Sequence, residues 1–388
     1  MKWRSQSVEE GRARFVLEAQ NSYLTHAELC RKYEISRPTG YKWLERYELE
    51  GLEGLSDRSH RPHSCPHRTP DIVVRRILKL RDGQQWGSRK IKRRLKDEGY
   101  DPPPSRKAID RILHEHGRID PSKPKRRRTQ PTAPTGSMDR PNETWTADFK
   151  GEFRLKNGSM CYPLTVADGC TRFLIECYGL ERLETAATLR RFKRLFREYG
   201  LPDRIRTDNG HPFASTAIAR LSQLSVLWVQ LGITPELIRP GKPQDNGRHE
   251  RMHRTLKART ANPPRSSLRA QQRCFNDFRR VFNHERPHEA LDLDTPAAHY
   301  SPSLRPYPKH LEPLTYPAHF EVRRVSQDST IRWNARKVFV SHLLSRLEIG
   351  LEEVGEGVWS VFFGPLHLGW LDEDDYRIMD VQGRRRRR

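Results

Sequence analysis

Between residues 143 and 259 the apolar pattern of this chain changes period several times, and that succession limits the folds open to it more than any other feature. Three β-like stretches come first, at about 143–151, 161–168 and 172–178. A helical pattern follows at about 184–199, with Leu189, Phe192, Phe196 and Tyr199 on one face. Then come a strand at 204–207, a helix at 213–231, a strand at 234–239 and a helix at 246–259. Strands first, then strands alternating with helices, describe a mixed sheet covered by helices.

Three acidic residues sit at the joints of this pattern. Asp148 lies in Trp145-Thr146-Ala147-Asp148-Phe149, Asp208 opens Asp208-Asn209-Gly210-His211 after a short strand, and Glu250 leads into a basic helix. Each has an ordinary reading. Asp-Asn-Gly is a strong turn signal, and Glu250 can pair with Arg254 four residues on. Asp148 is harder to explain away, because an acid in an apolar strand is costly unless it is paired or holds a metal. Two carboxylates at strand ends and a third on a helix can converge on a pair of Mg²⁺ ions, for which Mn²⁺ can substitute. Two such ions would activate an attacking oxygen and stabilise a leaving one in phosphodiester chemistry. On this reading Asp148 bridges the ions, and Asp208 and Glu250 each bind one. Asp168, in Ala167-Asp168-Gly169-Cys170, reads as a turn residue and not as a fourth ligand.

The three acids, with Asp-Asn-Gly and Pro243-Gln244-Asp245-Asn246-Gly247-Arg248-His249-Glu250 between them, resemble the acidic triad of DDE transposases and retroviral-type integrases. Asn283-His284-Glu285-Arg286-Pro287-His288-Glu289-Ala290-Leu291 resembles a segment following the core in insertion-sequence transposases. The specific resemblance covers about residues 142–300. It implies a ribonuclease-H-like α/β core and makes Asp148, Asp208 and Glu250 the metal ligands of a strand-transfer enzyme. Two departures stand out: 41 residues separate Asp208 from Glu250, the extra length falling in Thr216–Leu231, and the His/Cys zinc module of retroviral integrases is absent.

The charge of the chain points to its partner. Formal net charge is +23, with +13 in residues 1–140, +10 in 141–310 and none in 311–388. A surface this basic implies a polyanion bound with release of counterions. With the resemblance above, this implies double-stranded DNA, both element ends and target, and further copies of the chain assembled on it as the expected partners. From Arg248 to Arg286 eleven basic residues accompany three acids. Arg251, Arg254 and Lys257 share the helix of Glu250 and are expected to grip DNA beside the metals, although a solvated helix face reads the same way. No apolar run approaches the roughly 18 residues of a membrane span. The N-terminus lacks the apolar segment of a signal peptide, and the six cysteines form no CxxC pair. A cytoplasmic, nucleoid-associated protein of bacterial type is expected. His60, His63, Cys65 and His67 match none of the usual zinc spacings and read as a polar linker.

Before the core, residues 1–54 read as a helix-turn-helix domain. Thr25-His26-Ala27-Glu28 is a capping box, Ser36 caps the next helix, and Tyr41, Leu44 and Tyr47 are expected on its inner side. Arg37, Thr39 and Lys42 are the expected DNA contacts. A linker at 55–69 leads to a second, winged-helix-like unit at 70–118. Ile72, Ile77 and Leu80 pattern its first helix, Ile91 and Leu95 its second, and Ser105 caps a third. That third helix presents Arg106, Lys107 and Arg111 outward. A basic linker at 119–141 holds Lys123, Lys125, Arg126, Arg127 and Arg128. After the core at 142–300 and a linker at 301–319, residues 320–380 show short strands at the spacing of a small β-barrel, followed by an Arg-rich tail at 381–388.

The expected fold is therefore a multidomain α+β chain: helix-turn-helix modules, a ribonuclease-H-like core and a small C-terminal barrel. The expected reaction is metal-dependent cleavage at transposon ends and strand transfer into target DNA. A hydrolytic nuclease on the same core, or a DNA-binding regulator with an inactive core, is the alternative.

Overall fold

In the first unit, Met1–Arg68, three helices form because their starts are capped and their inner faces are apolar. The helices are α1 (Val8–Asn21), α2 (His26–Lys32) and α3 (Arg37–Glu50). Ser7 and Ser36 accept from backbone N–H groups of the first turns of α1 and α3, and Thr25 and Glu28 close the capping box of α2. Phe15, Val16, Leu29, Cys30, Ile35, Trp43 and Leu55 make the core. The inner face of α3 differs from expectation: Trp43 and Gly40 are buried, whereas Tyr41 is exposed and stacks on His26 at 3.8 Å. Gly40 is what brings α2 close, since a Cβ there would stand 2.6 Å from Cys30 Sγ. The structure is a computed structural model, and it describes residues 7–59, 68–120, 138–239 and 247–381. His60, His63, Cys65 and His67, the run Lys123–Arg128, residues 240–246 and the tail Arg384–Arg388 lie outside the described residues.

The second unit, Thr69–Arg388, opens with α4 (Asp71–Gln84), α5 (Ser88–Asp97) and α6 (Arg106–Glu115). Ile77, Leu80, Ile91, Leu95, Ile109, Ile112 and Leu113 are buried together with Val281. Ile72 is exposed and Val73 takes its expected place, a shift of one residue in the helix start. Arg93 pairs with Asp294 at 2.7 Å, so these helices dock on the segment that follows the core.

The core sheet contains β1 (Thr144–Phe149), β3 (Met160–Asp168), β4 (Leu174–Leu180), β5 (Arg204–Thr207) and β6 (Thr234–Leu237), with a short β2 (Phe153–Arg154) on β3. Its order is β4-β3-β1-β5-β6, the first three antiparallel and the last three parallel. Trp145, Ala147, Leu164, Val166 and Ile205 pack one face against α7 (Thr185–Tyr199) and α8 (Gln223–Gln230). Cys161, Leu174 and Cys177 pack the other against α9 (Gly247–Thr260) and α10 (Leu268–His284) through Met252, Leu256, Phe275 and Phe278. The expected helix over 213–231 is shorter. Ala219 and Arg220 adopt positive φ, and α8 starts only after the Ser222 cap. The break lets Ile218 and Leu221 turn into a separate apolar cluster.

That cluster belongs to the C-terminal strands: β7 (Glu321–Arg324), β10 (Glu348–Gly355), β11 (Val358–Phe363), β12 (Leu366–Asp372) and β13 (Arg377–Asp380), and a hairpin of β8 (Thr330–Trp333) and β9 (Arg336–Phe339). The five form one antiparallel sheet in the order β13-β12-β11-β10-β7. Among the described residues no pairing joins β13 to β7, so the expected closed barrel is not formed. The physical reason is coverage: the β8–β9 hairpin, with Ile218, Leu221, Val226 and Val229, fills the apolar face that closure would otherwise bury. No helix among the described residues is long and apolar enough to cross a membrane.

Candidate active site

The side chains of β1 alternate between the two faces of the sheet. Trp145 and Ala147 enter the α7 side, which leaves Thr146 and Asp148 toward α9. On the neighbouring parallel strand the register pairs Ala147 with Thr207. Asp148 and Asp208 therefore stand one residue beyond that pair, at the same end of adjacent strands. Asp208 Oδ1 accepts from the Gly210 N–H at 3.2 Å. Glu250 lies in the first turn of α9 and is exposed.

The three acids share an electrostatic environment. The Asp148 carboxyl is pushed up to about 7, first by burial and then by the charge of Asp208; Glu250 also raises it, and the Phe149 backbone and Lys150 oppose. Burial raises Asp208 as well, against the Gly210 hydrogen bond. Asp168 is occupied elsewhere. Its Oδ1 accepts from the Asn142 N–H at 2.8 Å, and its Oδ2 accepts from the Thr171 N–H and hydroxyl at 2.7 Å each. It braces the β3–β4 turn.

Behind Asp148 lies a buried polar network to which the sequence reading assigned no role. His249 Nδ1 is 2.9 Å from Thr146 Oγ1, and its Nε2 is 2.7 Å from Thr165 Oγ1. His253 Nε2 is 2.6 Å from the same Thr165 oxygen, and its Nδ1 faces Asp148 Oδ2 at 3.6 Å. Burial lowers both imidazoles, to about 3 for His249 and about 2 for His253, so both are neutral. A signal was present: His249-Glu250-Arg251-Met252-His253 has the His-Glu-x-x-His spacing of helix-borne zinc sites. The fold rules out that paired use, because both His249 nitrogens are taken by threonine hydroxyls.

The basic residues expected to meet DNA are distributed as follows. Arg251, Arg254 and Lys257 are exposed on α9, opposite its buried Met252, His253 and Leu256. Arg37 and Lys42 are exposed on α3, whereas Thr39 is half-buried with its hydroxyl 2.7 Å from Ser36 Oγ. Arg106, Lys107 and Arg111 are exposed on α6, and Arg111 lies 3.8 Å from Glu115.

Parts of the chain are similar to known proteins. Models described as "Integrase core domain" match residues 138–243 and 231–296. A "Helix-turn-helix domain" model matches 12–63, and a "Homeodomain-like domain" model matches 39–113. The chain is 28% identical over 256 residues to the insertion element IS407 uncharacterized 31.7 kDa protein of Burkholderia multivorans, covering 63% of this chain and 87% of that one. It is 28% identical over 263 residues to the insertion element IS476 uncharacterized 39.2 kDa protein of Xanthomonas euvesicatoria, covering 63% and 69%. Among solved structures it is similar to the HTLV-2 integrase catalytic core domain in complex with magnesium (16% identity, 42% of this chain and 97% of that chain, TM-score 0.33). It is also similar to a chain of the simian T-cell lymphotropic virus intasome in complex with a PP2A regulatory subunit (17% identity, 76% and 95%, TM-score 0.38). The tandem integrase-core matches, behind helix-turn-helix matches and alongside two insertion-element relatives, make this chain similar to insertion-sequence transposases and integrases.

Proposed function

We propose that this chain is a transposase that cuts DNA at the ends of its element and joins the resulting 3′-hydroxyls to target DNA, with Asp148, Asp208 and Glu250 holding two divalent cations, Mg²⁺ or Mn²⁺. The observation that carries the reading is that Asp148 and Asp208 each follow the paired Ala147 and Thr207 at one end of adjacent parallel strands, with the Asp148 carboxyl raised by burial and then by both other acids. Such a donor set fits a hard cation: oxygen donors, like-charged and partly withdrawn from water, gain most when a cation offsets their repulsion. When bound, the cations supply activation of the attacking oxygen and stabilisation of the leaving one.

The chain's own residues position the reactants. The sheet fixes Asp148 and Asp208, and the His249–Thr165 contact ties α9, and with it Glu250, to β3. Arg251, Arg254 and Lys257, exposed on α9, would hold DNA phosphates. The exposed Arg37 and Lys42, with Thr39, and Arg106, Lys107 and Arg111 present two further basic surfaces for recognising the element end. Two ends must be joined in one event, so the active form is an oligomer assembled on DNA.

Asp148→Asn, Asp208→Asn and Glu250→Gln each test the site. Each variant is expected to lose strand transfer while still binding terminal DNA. Metal-dependent joining by any one of them removes that residue from the site. Ends that are nicked by the unaltered protein but never joined identify a hydrolytic nuclease instead.

A further inference from the structure

The acids do not exhaust the donors at this site. His253 is buried, and its Nε2 is engaged by Thr165 at 2.6 Å. No hydrogen bond from a described residue reaches its Nδ1, which faces Asp148 Oδ2 at 3.6 Å. That separation is longer than the 2.7–3.2 Å usual for a hydrogen bond to nitrogen. It suits two donors of one ion: atoms each about 2.1 Å from a cation lie about 3.0 Å apart at a right angle and about 4.2 Å apart when opposite. One ligand atom from each of Asp148, His249 and His253 lies within 4.8 Å of the others. His249 drops out because both its nitrogens are bonded to threonines.

The network also prepares the tautomer. Thr165 Oγ1 has one hydrogen and meets the Asp148 carbonyl oxygen at 3.0 Å, His249 Nε2 and His253 Nε2. When that hydrogen goes to the Asp148 carbonyl or to His249, His253 must donate its Nε2–H to Thr165. Its Nδ1 then carries a lone pair aimed at the acids. A metal-bound histidine commonly has its other ring N–H held in this way.

We propose that His253, through Nδ1, is a nitrogen ligand of the cation held by Asp148, giving that position a mixed nitrogen–oxygen donor set. The inference rests on the carboxylate reading above. Its consequence is selectivity: nitrogen donors favour Mn²⁺ and later transition ions over Mg²⁺.

The test is Mn²⁺ binding to the untagged 388-residue chain, followed by electron paramagnetic resonance. Pulsed measurements on the unaltered protein are expected to show one directly bound ¹⁴N, replaced by a ¹⁵N pattern when the histidines carry ¹⁵N. His253→Gln is expected to abolish the nitrogen signal, retain Mn²⁺ and weaken its binding by about tenfold, with a smaller change for Mg²⁺. Mn²⁺ that binds, is lost in Asp148→Asn, and shows no nitrogen coupling overturns the proposal and leaves the carboxylate site standing. Mn²⁺ binding that is absent, or indifferent to Asp148→Asn, overturns both. Because the isotope measurement needs no substitution, poor folding of His253→Gln does not block the decision.

Discussion

Asp148 and three histidines, the buried His249 and His253 and the half-buried His288, pull the acid stability of this protein in opposite directions. His249, His253 and His288 are lowered from 6.5, to about 3, about 2 and about 3. Groups lowered on folding contribute stability that is present above pH 6.5 and lost as the pH falls. Asp148 is raised from 3.8 to about 7, so its contribution is complete below pH 4 and lost as the pH rises to 7. Between pH 4 and 6.5 the unfolded chain binds three histidine protons where the folded chain binds one, on Asp148. The histidines win, and stability without metal is expected to drop by roughly 2–3 kcal/mol per pH unit below 6.5. Urea unfolding in chelator from pH 7 to 5 checks this; a flat midpoint contradicts it. Divalent cations compete with the Asp148 proton, so their affinity is expected to fall by up to about tenfold per unit below pH 7. Calorimetric titration at pH 6 and 8 measures that ratio. A ratio near one would mean that Asp148 does not hold the ion.

At the scale of the element, α3 depends on a missing side chain. Gly40→Ala would set a methyl 2.6 Å from Cys30 Sγ and 2.8 Å from His26 Nε2, and overpacking of this kind costs about 1–3 kcal/mol. Amide exchange over 26–50 is expected to speed up while that of β1 and β3 stays unchanged. Equal protection in variant and parent would show that α2 can back away at no cost. The same helix shows where sequence reading stops. Ser36 and the Thr25–Glu28 box marked the helix starts, because a cap is a local hydrogen bond. The inner face was misread at one residue, with Tyr41 chosen where Trp43 is buried, because which side is buried depends on where α1 and α2 lie. In α8 the expected long helix gave way to a break at Ala219–Arg220, whose cause is a β-domain more than a hundred residues further along.

For the whole molecule, the division at residue 68 matters more than the expected boundary at 118, because α4–α6 pack against Val281 and pair with Asp294. A variant lacking residues 1–68 therefore keeps the second unit entire. Mixed with Asp148→Asn protein on paired element ends, it is expected to recover joining that neither shows alone, if one protomer cuts the end held by another. No recovery at any ratio, with a one-to-one complex by light scattering, counts against assembly on DNA. The net charge of +23 predicts that DNA affinity falls steeply with salt. A shallow slope in a titration from 50 to 200 mM would mean that few of these cations meet phosphate.

What the sequence determined by itself was local or periodic: the strand and helix succession of the core, the helix caps, the basic surface, and three acids in recognisable settings. These follow from nearest neighbours along the chain and from composition. Only the tertiary structure decided that β1 and β5 are parallel neighbours with Asp148 and Asp208 at one end. It also turned His249 and His253 inward onto Thr146 and Thr165, and covered the C-terminal sheet instead of closing it. The physical reason is the same in each case. Burial, the field of a distant charge and the filling of an apolar face are set by residues far apart in sequence, and no local pattern encodes which of them will meet.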